Sequence, residues 1–303
     1  MWRSRASNLS EAILETLGYF TLFEYPLAPL EIWKYLFFQA EYREVLSSLE
    51  TLVLERRIIE EDGKYTLPGQ DRNFSARAAA YQTSLPKIES ARRSAWYLKR
   101  CPFVKAVFVC NSLALMNATK ESDIDFFIVT SKGAVWRARL FSVFPFVLLG
   151  QRPKGWSGSR SFCFSFFLSE DNLNVSRFKI GERDPYLAIW LASLLALYDP
   201  DGMISKLWLQ SGSMDILPQL RDWPVEATGT VHGVKQALER RFPDWLETAS
   251  EKIERWYLPQ EIKNRIGRDT AVVIDHQAIK IHSPDRRREF LNRFEEILRT
   301  LGV

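Results

Sequence analysis

The sequence predicts an α+β protein in which helical ends flank a central alternation of strands and helices. Three observations carry this. Apolar residues recur at helical spacing from Ser10 to Arg56 and again beyond Asp184. Runs rich in Val, Ile and Phe alternate with helical patterns between Pro102 and Glu182. An Asp62-Gly63 turn between two short β-prone segments marks a hairpin near residue 60.

Composition bounds the rest. The 303 residues, 46% hydrophobic and 13% aromatic, suffice for a sizeable core and for two or three domains. The net charge of +4 allows an anionic partner without requiring one. Cys101, Cys110 and Cys163 have neither the count nor the spacing of a disulfide framework or a tetrahedral metal site, and read as core thiols suited to a reducing cytoplasm. Met1 to Ser10 is polar and lacks a secretory apolar region, so a cytoplasmic protein is expected. The longest apolar stretch, Leu140 to Gly150, holds Pro145 and is about half of the roughly twenty residues a span needs. No membrane span is expected. Burial is the favoured reading of that stretch, and surface attachment through its flanking Arg137, Arg139, Arg152 and Lys154 is the alternative.

Residues 1–70 read as a winged-helix-like domain. Ser10 with Ile13, Leu14 and Leu17 opens a first helix; Leu30, Ile32, Trp33 and Leu36 carry a second after Pro26 and Pro29; Val45, Leu49 and Leu52 line a third from Glu41 to Arg56. Two strands around Glu61-Asp62-Gly63 supply the wing. From Gln39 to Lys64 there are seven acids against four bases, the wrong sign for a phosphate backbone, and only Arg43 offers a basic reading residue. DNA is therefore a less favoured partner than protein contact or packing on the rest of the chain. Residues 71–100 form a helical connector, with a kink expected at Pro86. Eight bases and one acid, Glu89, lie between Arg72 and Lys105, giving either a solvated face or a basic wall beside a nucleotide or nucleic-acid site.

Residues 101–185 alternate: strand Phe103 to Cys110, short helix Ser112 to Asn117, strand Ile124 to Thr130, turn Lys132-Gly133, helix Trp136 to Leu149, loop Gly150 to Ser159 with Trp156, and strand Ser161 to Leu168. Residues 186–303 are expected to be mainly helical. Tyr186 to Tyr198 is apolar all round and reads as one buried helix, while Thr230 to Tyr257 and Pro284 to Leu301 read as amphipathic helices. His232, His276 and His282 are too scattered for a metal cluster, and Arg286-Arg287-Arg288 reads as a solvated face after a capping Asp285.

The chemistry concentrates in Val107 to Thr130. Asp123 and Asp125, two positions apart on a strand, share a face, and two carboxylates that close call for a cation or a proton. Cys110-Asn111-Ser112 breaks the apolar run where strand becomes helix, a place suited to phosphate.

Asn111-Ser112, a spacer of about ten residues, and then Ser122-Asp123-Ile124-Asp125-Phe126 resemble the nucleotidyltransferase superfamily typified by DNA polymerase β, in its small prokaryotic form with an amino-terminal winged helix. The resemblance implies a nucleotidyltransferase-like mixed sheet with flanking helices. It also implies transfer of a nucleoside monophosphate from a nucleoside triphosphate to an acceptor hydroxyl on a protein, a small molecule or an RNA. Asp123 and Asp125 would hold Mg²⁺ or Mn²⁺, Asn111 and Ser112 a phosphate, and Ser122 would orient the start of the strand. Two departures stand out. Asn111 replaces the family's glycine, and the third carboxylate expected on a later strand falls near Ser165, leaving Glu170 or Asp171 beyond the strand end as stand-ins. A catalytically degenerate nucleotide binder and a winged-helix DNA-binding regulator are the alternatives.

Overall fold

The computed structural model describes residues 6–150, 162–182, 184–230, 233–282 and 284–303. The loop from residue 151, with Trp156, and His232 lie outside the described residues.

The chain opens with helices α1 (Leu9–Thr21), α2 (Pro29–Tyr35) and α3 (Tyr42–Leu54), then hairpin strands β1 (Ile59–Glu61) and β2 (Lys64–Thr66). Local chemistry sets each boundary. The Asn8 side chain accepts the Glu11 N–H at 3.0 Å and caps α1. Pro29 stands in the first turn of α2, while Glu31 takes the Ala28 N–H at 2.8 Å. Asp62 and Gly63 both adopt left-handed dihedrals, φ 50° and 69°, which the two-residue hairpin requires. This unit is bound into the body of the protein. Asn117 donates to the Phe23 carbonyl, Tyr25 to the Leu115 carbonyl and Gln219 to the Phe38 carbonyl.

Helix α4 (Arg72–Leu98) runs as one element through Pro86, which is exposed and turns its missing N–H away from the core. The central region follows as β3 (Val104–Val109), the single-turn helix α5 (Asn111–Ala114), β4 (Ile124–Thr130), α6 (Val135–Leu148) and β5 (Phe162–Ser169). Beyond it come α7 (Pro185–Ser193), β6 (Leu195–Tyr198), α8 (Met203–Gln210), α9 (Ser213–Ile216), α10 (Gly233–Glu239), α11 (Trp245–Tyr257), α12 (Gln260–Arg265), β7 (Val272–Ile274), β8 (Ala278–Ile281) and α13 (Arg287–Leu301).

One mixed sheet organises the body, in the order β6-β3-β4-β5-β8-β7. Strands β4 and β5 are parallel and joined by α6, while every other neighbouring pair is antiparallel. Alternate side chains divide the core. Phe108, Phe127, Val129 and Leu168 pack toward the amino-terminal helices, α7, α8 and α13. Val107, Phe126, Ile128 and Phe167 pack toward α4 and α6.

Residues 186–303, read as mainly helical, also contribute three of the six strands. The predicted helix Tyr186 to Tyr198 ends at Ser193, and Leu195–Tyr198 pairs with β3. An all-apolar run suits a buried strand as well as a buried helix, which is why its composition misled. Strands β7 and β8 are three and four residues long, too short to show a period. The predicted helix Thr230 to Tyr257 is interrupted around Pro243 into α10 and α11. Among the described residues no helix is long and apolar enough to cross a membrane.

Candidate functional site

The site begins where β3 stops. Cys110 donates its N–H to the Asp125 carbonyl at 3.1 Å, and the chain then turns through Asn111 at φ 60° into α5. Asparagine tolerates this left-handed conformation better than most residues, so the glycine of the resembled pattern is not required for the turn itself. The Asn111 side chain is held on both sides. Its Oδ1 accepts from the Trp190 indole on α7 at 2.9 Å, and its amide hydrogen-bonds the Asp125 carboxylate. Ser112 is half-buried in the same turn, its carbonyl accepting from the Asn117 N–H at 2.8 Å.

Asp123 and Asp125 are both half-buried at the start of β4. Burial pushes the Asp125 carboxyl up to about 6, and the charge of Asp123 pushes the same way. Hydrogen bonds from Asn111 and from Cys163, the β5 residue paired with Asp125, favour the ionised form without offsetting that penalty. Cys163 is a member of this network rather than plain core. Burial and the Asp125 charge hold its thiol far above the ordinary range. Ser122 is engaged in its own turn, with its hydroxyl accepting the Thr119 N–H at 2.9 Å.

Of the basic helix, Lys87 reaches the loop before Asp123. Its ammonium donates to the Lys120 carbonyl at 3.0 Å and to the Ser122 carbonyl, and burial lowers its pKa against the pull of Asp123 and Glu121.

The position expected for a third carboxylate is occupied by Ser165. Asp125 pairs with Cys163 but Phe127 pairs with Phe166, so β5 carries an extra residue there. Ser165 sits in that bulge and hydrogen-bonds Cys163. Glu170 and Asp171 do not replace the missing acid. Thr130 pairs with Ser169 at the opposite end of the parallel strands, roughly 15–20 Å from Asp125. There Glu170 lies 3.9 Å from the Lys105 ammonium and faces the Lys132 N–H, while Asp171 accepts from the Ser169 hydroxyl at 2.5 Å.

Beside Asn111 and Ser165 lies a narrow cavity of about 40 Å³, lined also by Tyr186, Trp190, Lys280, His282 and Arg287. The sequence reading missed this cationic wall. Arg287, assigned to a solvated run, is buried, with its guanidinium on Asp285 at 2.6 Å, the Phe178 carbonyl at 2.7 Å and Asp184 at 3.7 Å. Its phase was legible, because Arg287, Phe294 and Leu298 share the inner side of α13. Lys280 is buried on β8, donates to the Thr270 carbonyl at 2.6 Å, and is lowered to about 7 by burial and by Arg287. Burial and Lys280 depress His282 to about 4, leaving a neutral imidazole near neutral pH.

Among the described residues no group of three or more His, Cys, Asp and Glu side chains converges. The donor set still fits Mg²⁺. Two hard carboxylates suffice for an ion that keeps several of its waters, and a cation would offset the burial and the like charge of Asp123 that raise Asp125. No family model matches the chain, and neither the curated proteins nor the solved structures searched gave a match.

Proposed function

We propose that the chain is a nucleotidyltransferase that transfers a nucleoside monophosphate from a nucleoside triphosphate to an acceptor hydroxyl on a protein, a small molecule or an RNA. The observation that carries this reading is the wiring of Asp125. It is a carboxylate raised by burial and by Asp123, hydrogen-bonded to the left-handed Asn111 that opens the β3–α5 turn. A strand-borne acid pair facing such a turn is the arrangement the resembled family uses for a triphosphate.

In this reading Asp123 and Asp125 hold Mg²⁺ or Mn²⁺, which when bound supplies positive charge against triphosphate oxygens. Asn111 orients the Asp125 carboxylate, and Ser112 offers a hydroxyl to a phosphate. Ser122, engaged with Thr119, steadies the chain into β4. The amino-terminal helices and hairpin are read as a winged helix whose role is packing or protein contact. Its bonds into the body support that over DNA binding.

A second reading, nucleotide binding without turnover, is favoured by Ser165 at the third acidic position. Incubation with each nucleoside triphosphate and Mg²⁺ or Mn²⁺, measuring binding by calorimetry and pyrophosphate release, separates the two. Binding with release, both lost in Asp123→Asn and Asp125→Asn, is the expected outcome. Binding without release across a broad acceptor screen supports the second reading. Neither binding nor release overturns both.

A further inference from the structure

Helices α4 and α6 lie over one face of the sheet with α11 packed beside α6, and their outward surface carries large apolar side chains exposed among its polar ones. Near the end of α6, Leu148 and Leu149 are each 69% exposed, with Phe144 one turn before them. On α4, Trp96 is 61% exposed, and on α11 Trp245 and Trp256 are 67% and 73% exposed. The three helices are tied side by side. Tyr97 of α4 donates to the Phe141 carbonyl of α6 at 2.6 Å, and its ring meets Phe146 at 6.0 Å. On the other flank, Glu247 of α11 takes the Trp136 and Arg137 N–H groups of α6, and Glu254 pairs with Arg139. Those carboxylates face inward, which turns Trp245 and Trp256 outward.

The charge on this face has one sign near the end of α4. Arg92 and Arg93 lie in its last turns and Lys99 and Arg100 follow it directly, against Glu89 alone. Among the described residues none of the four has a carboxylate within ion-pair distance; Arg100 instead stacks on Trp96 at 3.8 Å. Aliphatic tips, tryptophans at both margins and unpaired cations together are the chemistry of a headgroup interface, where aliphatic side chains enter the acyl boundary and Arg and Lys meet lipid phosphates. A nucleic acid would leave the exposed leucines unexplained. A second copy of the chain would bring four like charges per protomer to the interface. We propose that the outward face of α4, α6 and α11 docks on an anionic membrane surface.

The test is cosedimentation of the full chain with vesicles of phosphatidylcholine alone and of phosphatidylcholine mixed with an equal amount of phosphatidylglycerol. The expected result is association with the anionic vesicles, weakened by salt, and reduced about tenfold or more in L148E/L149E and in R92Q/R93Q. Circular dichroism establishes that each variant is folded; should the leucine pair fail, W256Q, at a 73% exposed position, takes its place. Absence of association with anionic vesicles overturns the proposal, as does association that L148E/L149E or W256Q leaves unchanged. It is equally overturned by a solution dimer that L148E/L149E splits, or by binding of single-stranded RNA, where vesicles do not bind.

Discussion

Asp125 and Asp285 each hydrogen-bond a residue that lines the small cavity, Asn111 and Arg287, and the fold treats them in opposite ways. Asp285 is partly buried, which by itself would raise it, yet Arg287 overrides this with hydrogen bonds from its guanidinium and its backbone N–H and pulls the carboxyl down to about 2. Asp125 is pushed up to about 6, first by burial and then by a second carboxylate where Asp285 has a guanidinium. A buried acid with its counter-ion built in is part of the scaffold. One left without it, and under the like charge of a second acid, is an arrangement that a bound cation completes.

The largest expected effect comes from breaking the compensated site. Arg287→Ala strips Asp285 and Asp184 of their guanidinium and should cost about 3–5 kcal/mol in urea unfolding. A loss under about 1 kcal/mol would mean that the pairing contributes little.

Next is Asp125→Asn, which should have the opposite sign. The folded-state pKa of Asp125 lies above the unfolded value near 4, so its contribution is present below about pH 4 and is lost as pH rises through about 6. Replacement by the amide should therefore stabilise the metal-free protein by up to about 3 kcal/mol at pH 8 and change little at pH 4. Mg²⁺ should raise the melting temperature of the wild type at pH 8 and not that of the variant. Asp285 has the reverse dependence, stabilising above about pH 4 and losing that contribution as pH falls toward 2. A stability difference between Asp125→Asn and wild type that did not vary with pH would remove the basis of the comparison.

Ser165→Asp sharpens it further by supplying the missing acid. With a third carboxylate on β5, Mg²⁺ affinity at pH 8 should rise about tenfold while metal-free stability falls by about 1–2 kcal/mol from added like charge. Titration calorimetry with Mg²⁺ reads both the affinity and any second ion. An unchanged affinity would place the Ser165 side chain outside the reach of the acid pair.

How much of this was legible in the sequence differs between the same two places. Ile124–Thr130 is the strand that the apolar run around the aspartates predicts, with Asp125 in it and Asp123 directly before it. The amino-terminal helices and hairpin follow from capping residues and an Asp-Gly turn, both short-range signals. Arg287, Lys280 and Trp190 were not found, because their roles depend on strand and helix contacts across the sheet. The bulge at Ser165 is likewise invisible locally, since its extra residue is defined only by the register of β4 against β5. The reading of Tyr186 to Tyr198 as one helix failed because a β-strand paired on one edge of a sheet and a buried helix can have the same composition.

The smallest effect is expected at Asn111, where two consequences partly offset each other. Glycine at φ 60° relieves a left-handed side chain by a few tenths to about 1 kcal/mol. It also leaves the Trp190 indole without its acceptor and Asp125 with Cys163 but without its Asn111 donor, losses of about 1 kcal/mol each. Asn111→Gly should thus be destabilising by about 1 kcal/mol, measurable as a modest drop in urea midpoint with unchanged slope. Because the Asn111 bond lowers the Asp125 pKa, its loss should move that carboxyl further upward. Mg²⁺ binding should then weaken most near pH 6 and recover by pH 8, where the aspartate is ionised in both proteins. If the variant binds Mg²⁺ at pH 6 as the wild type does, the asparagine serves the turn alone and Asp125 owes its state to burial and to Asp123.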